Sequence, residues 1–525
     1  MGPPPPTDPL GHEAPPGDIF AVYTPRLDAY TAVQVTALKV EGKSELAAVL
    51  TLDWVGTALP DADAVAAMRP ARFNFFFWKD HLDHDWVSAE VPRGYTRVGH
   101  RPPLVEEELN SYGGGWPSGS PLYSQRRWEA IPQAERDLFK QMDAEPDNRV
   151  LFTVGDMEVR RSTQRLDTDR LAAASDLSVF EALPILTSVN ADTPIAGLFD
   201  FIRRRPFVYE SEVRNHGERR VDLRGAQLTQ LLLDVTGVHD LYLNDGLEHL
   251  SLFGKPGPEL KIHGEADGRW LTLQLGTPDM AWSGLDALDS LQMRSAREVD
   301  ASSIMRRFPK LTELRIWGAP GYLRNTAELA KLPALAMLTL SDMFGMSPEE
   351  FPGPEQLPQL SMLWLTSIPA DVAAQVKKAY KAATREGLDL SVRQPRKADW
   401  LAENLDNPFR VWDGADNITP AQAKKAAALY RQARSAALKA ASEADHAPAA
   451  LVSALTPIVT AYTEGFNKLD SRHAFIFTEE REQIYVALVG IFDAVDEKLR
   501  SSEKTPVEPL HREALISVMD SIRDF

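Results

Sequence analysis

The chain has 525 residues, a net charge of −18 and no cysteine. Its length predicts about two to four domains, and the missing thiols exclude disulfides, thiolate metal sites and cysteine nucleophiles. The acidic balance disfavours nucleic-acid phosphates and anionic membranes as partners.

The first 18 residues contain many prolines and no basic stretch followed by an apolar one. Residues 1–18 are therefore predicted to be a disordered tail, and no signal peptide is expected. No apolar run reaches the roughly 18 residues that a membrane helix needs. We expect a cytoplasmic protein that does not insert into a membrane, and the frequent Ala and Pro residues suggest a bacterial source of high GC content.

Residues 19–218 have the pattern of a mixed α/β domain. Apolar and polar side chains alternate over residues 33–40, and residues 46–55 supply a return strand. These two segments predict a β-hairpin. Further elements are predicted at 72–78 (an aromatic strand), 133–142 (a helix) and 150–154 (a strand).

Gly42, Lys43 and Ser44 match the end of a phosphate-binding loop, in which backbone N–H groups cradle phosphates between a strand and a helix. Ala37 occupies the position of the first glycine that such a loop needs, and strand-like residues follow. The sequence therefore predicts a hairpin turn here.

Asp80, His81, His84 and Asp85 belong to the densest group of side chains with metal-ligand chemistry. Imidazole and carboxylate suit zinc or manganese, and two histidines three residues apart can face one site on a helix. The neighbouring sequence offers no further residues that would complete and support such a site. A polar loop is the favoured interpretation, and a metal site is the alternative.

Residues 112–123 are dense in Gly, Pro and Ser and match no dinucleotide-binding fingerprint. They are predicted to form a flexible surface loop, on which Tyr112 and Trp116 could contact a partner.

A repeat of the form L-x-x-L-x-L dominates residues 219–393. Its six clearest copies begin at Val238, Leu247, Leu288, Leu311, Leu335 and Leu360. Leucines two apart point inward from a short strand, and stacked coils bury them in a continuous core. The pattern resembles that of leucine-rich-repeat proteins of an irregular bacterial type, whose function is uncharacterised. The resemblance implies a leucine-rich-repeat solenoid over this region.

The spacing of the copies is uneven. Nine residues separate Val238 from Leu247, whereas 25 separate Leu335 from Leu360. The early coils are therefore expected to hold strands and turns without a helix, and the later ones to include helical return segments. The asparagine ladder of the family is mostly missing, which predicts a short and irregular solenoid.

In each copy, the residue between the last two leucines and the residue after them are expected to point outward. The predicted binding residues are Tyr242, Asn244, Phe253, Gln292, Arg294, Arg315, Trp317, Thr339, Trp364 and Thr366. Aromatic and arginine side chains are enriched at interface hot spots. The sequence leaves two alternatives for what covers this surface: a separate protein, or another domain of the same chain.

A linker is predicted over residues 394–418, and a helical bundle over residues 419–525. Thr419 and Pro420 have the positions of a helix cap and a first helical residue. Four amphipathic helices predict a bundle, through which the chain could self-associate.

The sequence thus predicts an α/β multidomain protein with three folded parts: the mixed domain, the solenoid and the bundle. The favoured function is a non-catalytic protein-binding scaffold or recognition protein that needs no cofactor. The alternative is an enzyme with a metal-assisted hydrolytic site in the N-terminal domain and the repeats as its substrate-recognition module.

Overall fold

The computed structural model describes residues 14–525 except 43, 93, 107–108, 277–281, 398–399, 401–403, 405, 444–447, 472–473 and 503–509. Most of the predicted disordered tail lies outside the described residues. The chain contains both helices and strands, and it divides into two compact units, Met1–Pro395 and Arg396–Phe525. Each unit is described by itself below.

An antiparallel sheet with flanking helices occupies the first part of the larger unit. Its five strands have the order β6-β3-β2-β1-β7. The strands of this part are β1 Asp18–Thr24, β2 Ala29–Glu41, β3 Ser44–Gly56, β4 Arg72–Phe73, β5 His81–Leu82, β6 His84–Ser88, β7 Tyr95–His100, β8 Val150–Val154 and β9 Met157–Arg160. The helices are α1 Ala62–Ala67, α2 Ser120–Glu129 and α3 Gln133–Ala144.

The predicted hairpin is confirmed, since β2 pairs with β3 and Glu41 lies opposite Ser44. Both faces of these strands are apolar because each face packs against its own cluster. Val33 and Val49 belong to one cluster, and Ala32 and Leu50 belong to the other.

The predicted aromatic strand over residues 72–78 is wrong. Only Arg72–Phe73 forms a strand, and the chain then turns, with a positive φ of 44° at Phe76. The aromatic run packs because its rings converge around this turn: the Phe75 and Trp78 rings stack with centroids 5.2 Å apart. The sequence indicated that these aromatic rings would be shielded from water. A turn can shield them as well as a strand can.

A parallel sheet of eleven strands, here called the ladder, runs through the rest of the larger unit. Its order is β10-β11-β12-β14-β16-β18-β19-β20-β21-β22-β23. The strands are β10 Arg165–Leu166, β11 Ser188–Ala191, β12 Glu210–Val213, β14 Gln230–Asp234, β16 His249–Phe253, β18 Thr272–Leu275, β19 Ser290–Asp300, β20 Glu313–Arg324, β21 Met337–Phe344, β22 Met362–Thr366 and β23 Asp389–Arg393. The ladder thus begins upstream of residue 219, where the sequence places the first repeat.

A second parallel sheet explains the closely spaced copies. Its strands β13 Arg220–Asp222, β15 Asp240–Tyr242 and β17 Lys261–His263 alternate along the chain with ladder strands. Two copies about ten residues apart are therefore two strands of one coil, which lie in different sheets. Register partners in the ladder are 18 residues apart from Thr272 to Ser290 and 27 apart from Met362 to Asp389.

The later coils replace the short second strand with a bend. β19 pairs with β20 over its first residues and again near its end, with register shifts between. Ser295 in β19 and Asp342 in β21 have positive φ angles of 53° and 52° at these bends. Gly318 and Gly321 lie where a Cβ would clash with backbone oxygens of the neighbouring strands, so the close approach of the bent strands requires glycine.

One continuous apolar core runs through the ladder from Val154 to Leu388. The inward leucines are fully buried; Leu291, Leu314 and Leu338, for example, are register neighbours with 0% exposure. The described α-helices between ladder strands are α4 Thr168–Ala173, α5 Leu198–Arg204, α6 Ala301–Arg307 and α7 Ala370–Ala379. Short 3-10 helices also occur there, at Leu177–Ala182, Glu265–Gly268, Thr326–Lys331 and Ala383–Glu386. Helix α7 and strand β23 form the last helix–strand pair of the ladder.

The smaller unit is helical, as predicted for the C-terminal region. Its helices are α8 Pro420–Glu443, α9 Pro448–Asp470, α10 Thr478–Ser502 and α11 Arg512–Ile522. They surround one apolar core that includes Tyr462, Phe466 and Ile484. Phe409 and Trp412, which the sequence assigned to a linker, are buried in that core. None of the described helices in either unit combines the length and apolarity needed to cross a bilayer.

Candidate partner-binding surface

One row of outward side chains crosses the last strands of the ladder. Gln292, Arg315, Thr339 and Trp364 are successive register partners on β19 to β22. The buried leucines on either side of each residue turn these side chains to the opposite face, because side chains alternate along a strand. The sequence prediction therefore placed these four residues on the correct face.

A second row lies two residues further along the same strands. Trp317, Ser341 and Thr366 are register partners, and Arg294 is next to Trp317. We call the two rows together the β19–β22 strip; its members are Gln292, Arg294, Arg315, Trp317, Thr339, Ser341, Trp364 and Thr366. Arg294 is exposed, and Trp317 is half-buried.

Contacts between neighbouring strands order the second row. The guanidinium carbon of Arg294 lies 4.8 Å from the ring centroid of Trp317. Its Nε donates a hydrogen bond of 2.8 Å to Oε1 of Gln274 on β18. Trp317 is thus covered on one face by a cation that is itself held in place.

Polar groups of the first row are only partly satisfied. Arg315 forms an ion pair with Glu313 of its own strand. The hydroxyl of Thr339, between Arg315 and Trp364, is buried and has no hydrogen-bond partner among the described residues. Because this oxygen is buried, the hydroxyl is not a contact point for a ligand on the outward surface.

Trp364 is the most exposed large ring of the strip, at 39%. Its Nε1 donates a hydrogen bond of 2.9 Å to Oδ2 of Asp389 on β23. The register also brings Met337 and Met362 to neighbouring outward positions. The indole is therefore oriented by a carboxylate while much of its face stays accessible.

Phe253 lies on the same sheet, on β16, which the single strand β18 separates from β19. The guanidinium carbon of Arg214 is 4.3 Å from its ring centroid, and the Arg214 Nε donates to Glu212 at 2.5 Å. Phe253 is half-buried and does not join the β19–β22 strip.

Tyr242 belongs to the other parallel sheet, on β15, so it shares no surface row with Trp317 or Trp364. Its ring stacks on His263 with centroids 4.4 Å apart, and the guanidinium carbons of Arg220 and Arg224 lie 4.6 Å from its centroid. The prediction of one continuous face is wrong for Tyr242, because strands close in sequence alternate between the two sheets.

Asn244 is buried, at 1% exposure, which contradicts its predicted outward position. Its Nδ2 donates hydrogen bonds to the carbonyl oxygens of Leu228 at 2.8 Å and Asp245 at 2.9 Å. The chain turns directly after Tyr242, so the alternation of a strand no longer applies there. Asn244 supports a turn between coils and is not a contact residue.

The N-terminal part attaches to turns that precede ladder strands. Arg26 donates hydrogen bonds to the carbonyl oxygens of Leu247 (3.0 Å) and Trp270 (2.9 Å). Arg127 donates to those of Gly246 (2.9 Å) and Gln227 (3.2 Å). These contacts lie at the amino-terminal ends of β14, β16 and β18, whereas Trp364 on the outward face of the ladder remains exposed.

The four candidate metal ligands do not converge. His81 is exposed on β5, and His84 is buried on β6 with Nε2 2.7 Å from the Thr36 hydroxyl. Asp80 pairs with Arg72 at 3.2 Å, and Asp85 lies opposite Val49. The predicted polar loop is wrong, since two short strands replace it. No group of three metal-ligating side chains is found among the residues that the structure describes.

The predicted surface loop at residues 112–123 is correct only in part. Tyr112 is 58% exposed, but Trp116 is 8% exposed and meets Phe20 edge-to-face at 5.3 Å. Helix α2 already begins at Ser120. Trp116 is therefore a core residue of the antiparallel sheet.

Sequence reasoning missed Gln274 and Asp389, the side chains that hold Arg294 and Trp364. Each lies on a strand adjacent to its partner. Gln274 is an outward residue of a degenerate copy, Leu271-Thr-Leu273, and a search for such copies could have found it. No protein-family model matches the chain, and no curated protein is significantly similar to it.

Proposed function

We propose that this chain is a non-catalytic scaffold or recognition protein, in which a leucine-rich-repeat-type solenoid binds a protein partner through the β19–β22 strip. The single observation that carries the proposal is the cross-strand row from Gln292 to Trp364. Parallel register places side chains of four separate repeats next to one another.

Coil length and core packing support the assignment to a leucine-rich-repeat type. Register partners are separated by 18 to 27 residues, as from Thr272 to Ser290 and from Met362 to Asp389, close to the roughly 20–29 residues typical of these repeats. Each coil contributes inward aliphatic side chains to one core. Stacked coils that bury each other's leucines are the physical basis of a solenoid.

The composition of the strip supports binding to a protein. Trp, Arg and Met are enriched at protein interfaces, and the strip with its neighbours contains two indoles, two guanidinium groups and two thioethers. Trp317 and Trp364 are held by neighbouring side chains before any partner arrives. Less side-chain entropy is therefore lost on binding.

A quantitative pull-down from the source cells tests the proposal. The bait is the full chain, compared with the variant Arg294→Ser, Trp317→Ser, Trp364→Ser. We expect a partner that wild type recovers and the variant loses, at a temperature where thermal unfolding shows that both proteins are folded. The control Tyr242→Ser lies on the other sheet and should keep the partner. Equal recovery by wild type and the triple variant would overturn the proposal.

A further inference from the structure

A groove in the smaller unit lies along helix α8. Its volume is about 610 Å³, within the range of roughly 300–1,000 Å³ found for small-molecule sites. Side chains of α8 supply most of its wall, and Lys498 of α10 and residues 406–407 complete it.

The α8 residues of the groove occupy one helical face. Arg431, Arg434, Leu438 and Lys439 stand at positions i, i+3, i+7 and i+8, which share one side of an α-helix. Ser435, at i+4, also lines the groove. The groove wall is therefore one continuous cationic and hydroxyl-bearing stripe.

Charge in the groove is opposite to that of the chain. The groove is lined by four cations, Arg431, Arg434, Lys439 and Lys498, and by one carboxylate, Asp406, in a protein of net charge −18. Lys439 also pairs with Glu443 at 3.9 Å, and Lys498 donates a hydrogen bond of 3.1 Å to the carbonyl oxygen of Leu438. A local excess of cations of this kind attracts anions.

Among these cations, Arg434 gives the clearest indication that the groove binds an anion. It is half-buried and forms no ion pair with any residue that the structure describes. Cations near a helix C-terminus are stabilised by the helix dipole, but this effect is confined to the last turn. Arg434 precedes the end of α8, Glu443, by nine residues, so the dipole does not account for it.

The groove also has an apolar side. Tyr430 is 9% exposed, and Leu438 is half-buried; both line the groove. An inorganic anion would leave most of the volume and this wall unused, whereas an organic anion would fill both.

We propose that this groove binds a small organic molecule that carries a phosphoryl group. Arg434 supplies the planar fork of N–H donors that matches phosphate oxygens, with Arg431 and Lys439 adding charge and Ser435 a hydroxyl donor. Tyr430 and Leu438 contact the organic part.

Calorimetric titration of the full chain at low salt tests this site. The probes are AMP, glucose 6-phosphate, inorganic pyrophosphate, citrate and adenosine. At least one phosphorylated organic probe should bind saturably with one site per chain, and more tightly than citrate or pyrophosphate. Adenosine, which lacks the phosphoryl group, should not bind.

Two groove variants and one control variant on the same helix test whether the probe binds in the groove. Arg434→Gln and Lys439→Gln should each weaken the phosphorylated probe, the first by about tenfold or more, as expected for a lost charged hydrogen bond. Lys425→Gln, an exposed α8 residue outside the groove, should leave affinity unchanged. The proposal is overturned if no phosphorylated organic probe binds saturably, if citrate or pyrophosphate binds more tightly than all of them, or if Arg434→Gln binds as wild type does.

Discussion

The guanidinium of Arg294 covers the indole of Trp317 on the next strand, at 4.8 Å from the ring centroid. A neighbouring strand also orients the second indole, since Asp389 on β23 accepts a hydrogen bond from Trp364 on β22. Neighbouring coils thus hold each other's outward rings, so the candidate surface is ordered by the stacking of the coils themselves.

The Arg294–Trp317 contact should contribute measurably to stability. In a double-mutant cycle with Arg294→Ala and Trp317→Ala, we expect a coupling free energy of about 0.5–1 kcal/mol, typical of an exposed cation–π pair. Urea unfolding of the four proteins measures it. Strictly additive effects would contradict the contact.

Inward and outward residues of β20 should differ sharply in how much they contribute to the free energy of unfolding. Leu314 is fully buried, so Leu314→Ala should lower the free energy of unfolding by about 2–5 kcal/mol. Its neighbour Arg315 faces outward, and Arg315→Ala should change stability by no more than about 1 kcal/mol. Comparable losses in the two variants, measured by urea unfolding, would contradict the assigned faces.

Asn244 should matter for stability and not for binding. Asn244→Ala leaves the buried carbonyl of Leu228 without its donor, at an expected cost of about 1–3 kcal/mol. Thermal unfolding measures the loss, and partner recovery from a pull-down should remain at the wild-type level at a temperature where the variant is folded. A variant that loses the partner while keeping its melting temperature would show that Asn244 is a contact residue.

The Asp222–Arg224 pair predicts a defined pH dependence. Hydrogen bonds from the side chain and backbone of Arg224 lower the pKa of the Asp222 carboxyl from its ordinary value of 3.8 to about 2. A lowered pKa means that the ionised form stabilises the fold. This contribution is complete above about pH 4 and lost as the pH falls through about 2.

Asp222→Asn should accordingly be less stable than wild type at neutral pH, by at most about 1 kcal/mol because the pair is near the surface. Urea unfolding at several pH values should show this difference shrinking below about pH 4. A difference that stays constant to about pH 3 would contradict the assigned cause.

Strong local signals predicted several elements correctly. The alternating residues of β2 and β3 identified their hairpin, and Thr419 with Pro420 marked the start of α8. In both cases the determining interactions lie within a few residues, so the sequence pattern contains them.

Other features depended on contacts that are distant in sequence. Trp116 is buried because Phe20, nearly a hundred residues earlier, packs against it. Asn244 turns inward because the carbonyl of Leu228, on the previous coil, accepts its hydrogen bond. The Gly-rich segment around Trp116 contains no information about Phe20. The position of Asn244 in its repeat copy likewise contains none about Leu228.

By itself, the sequence determined that leucines two apart would be buried together and that the intervening residues would face outward, because strand alternation is a local property of the backbone. Only the tertiary structure decided which outward residues are neighbours. Tyr242 and Phe253 are eleven residues apart yet lie on different sheets, whereas Trp317 and Thr366 lie close together across β21. The position of each strand depends on how whole coils stack, and the spacing of the leucines does not encode that choice.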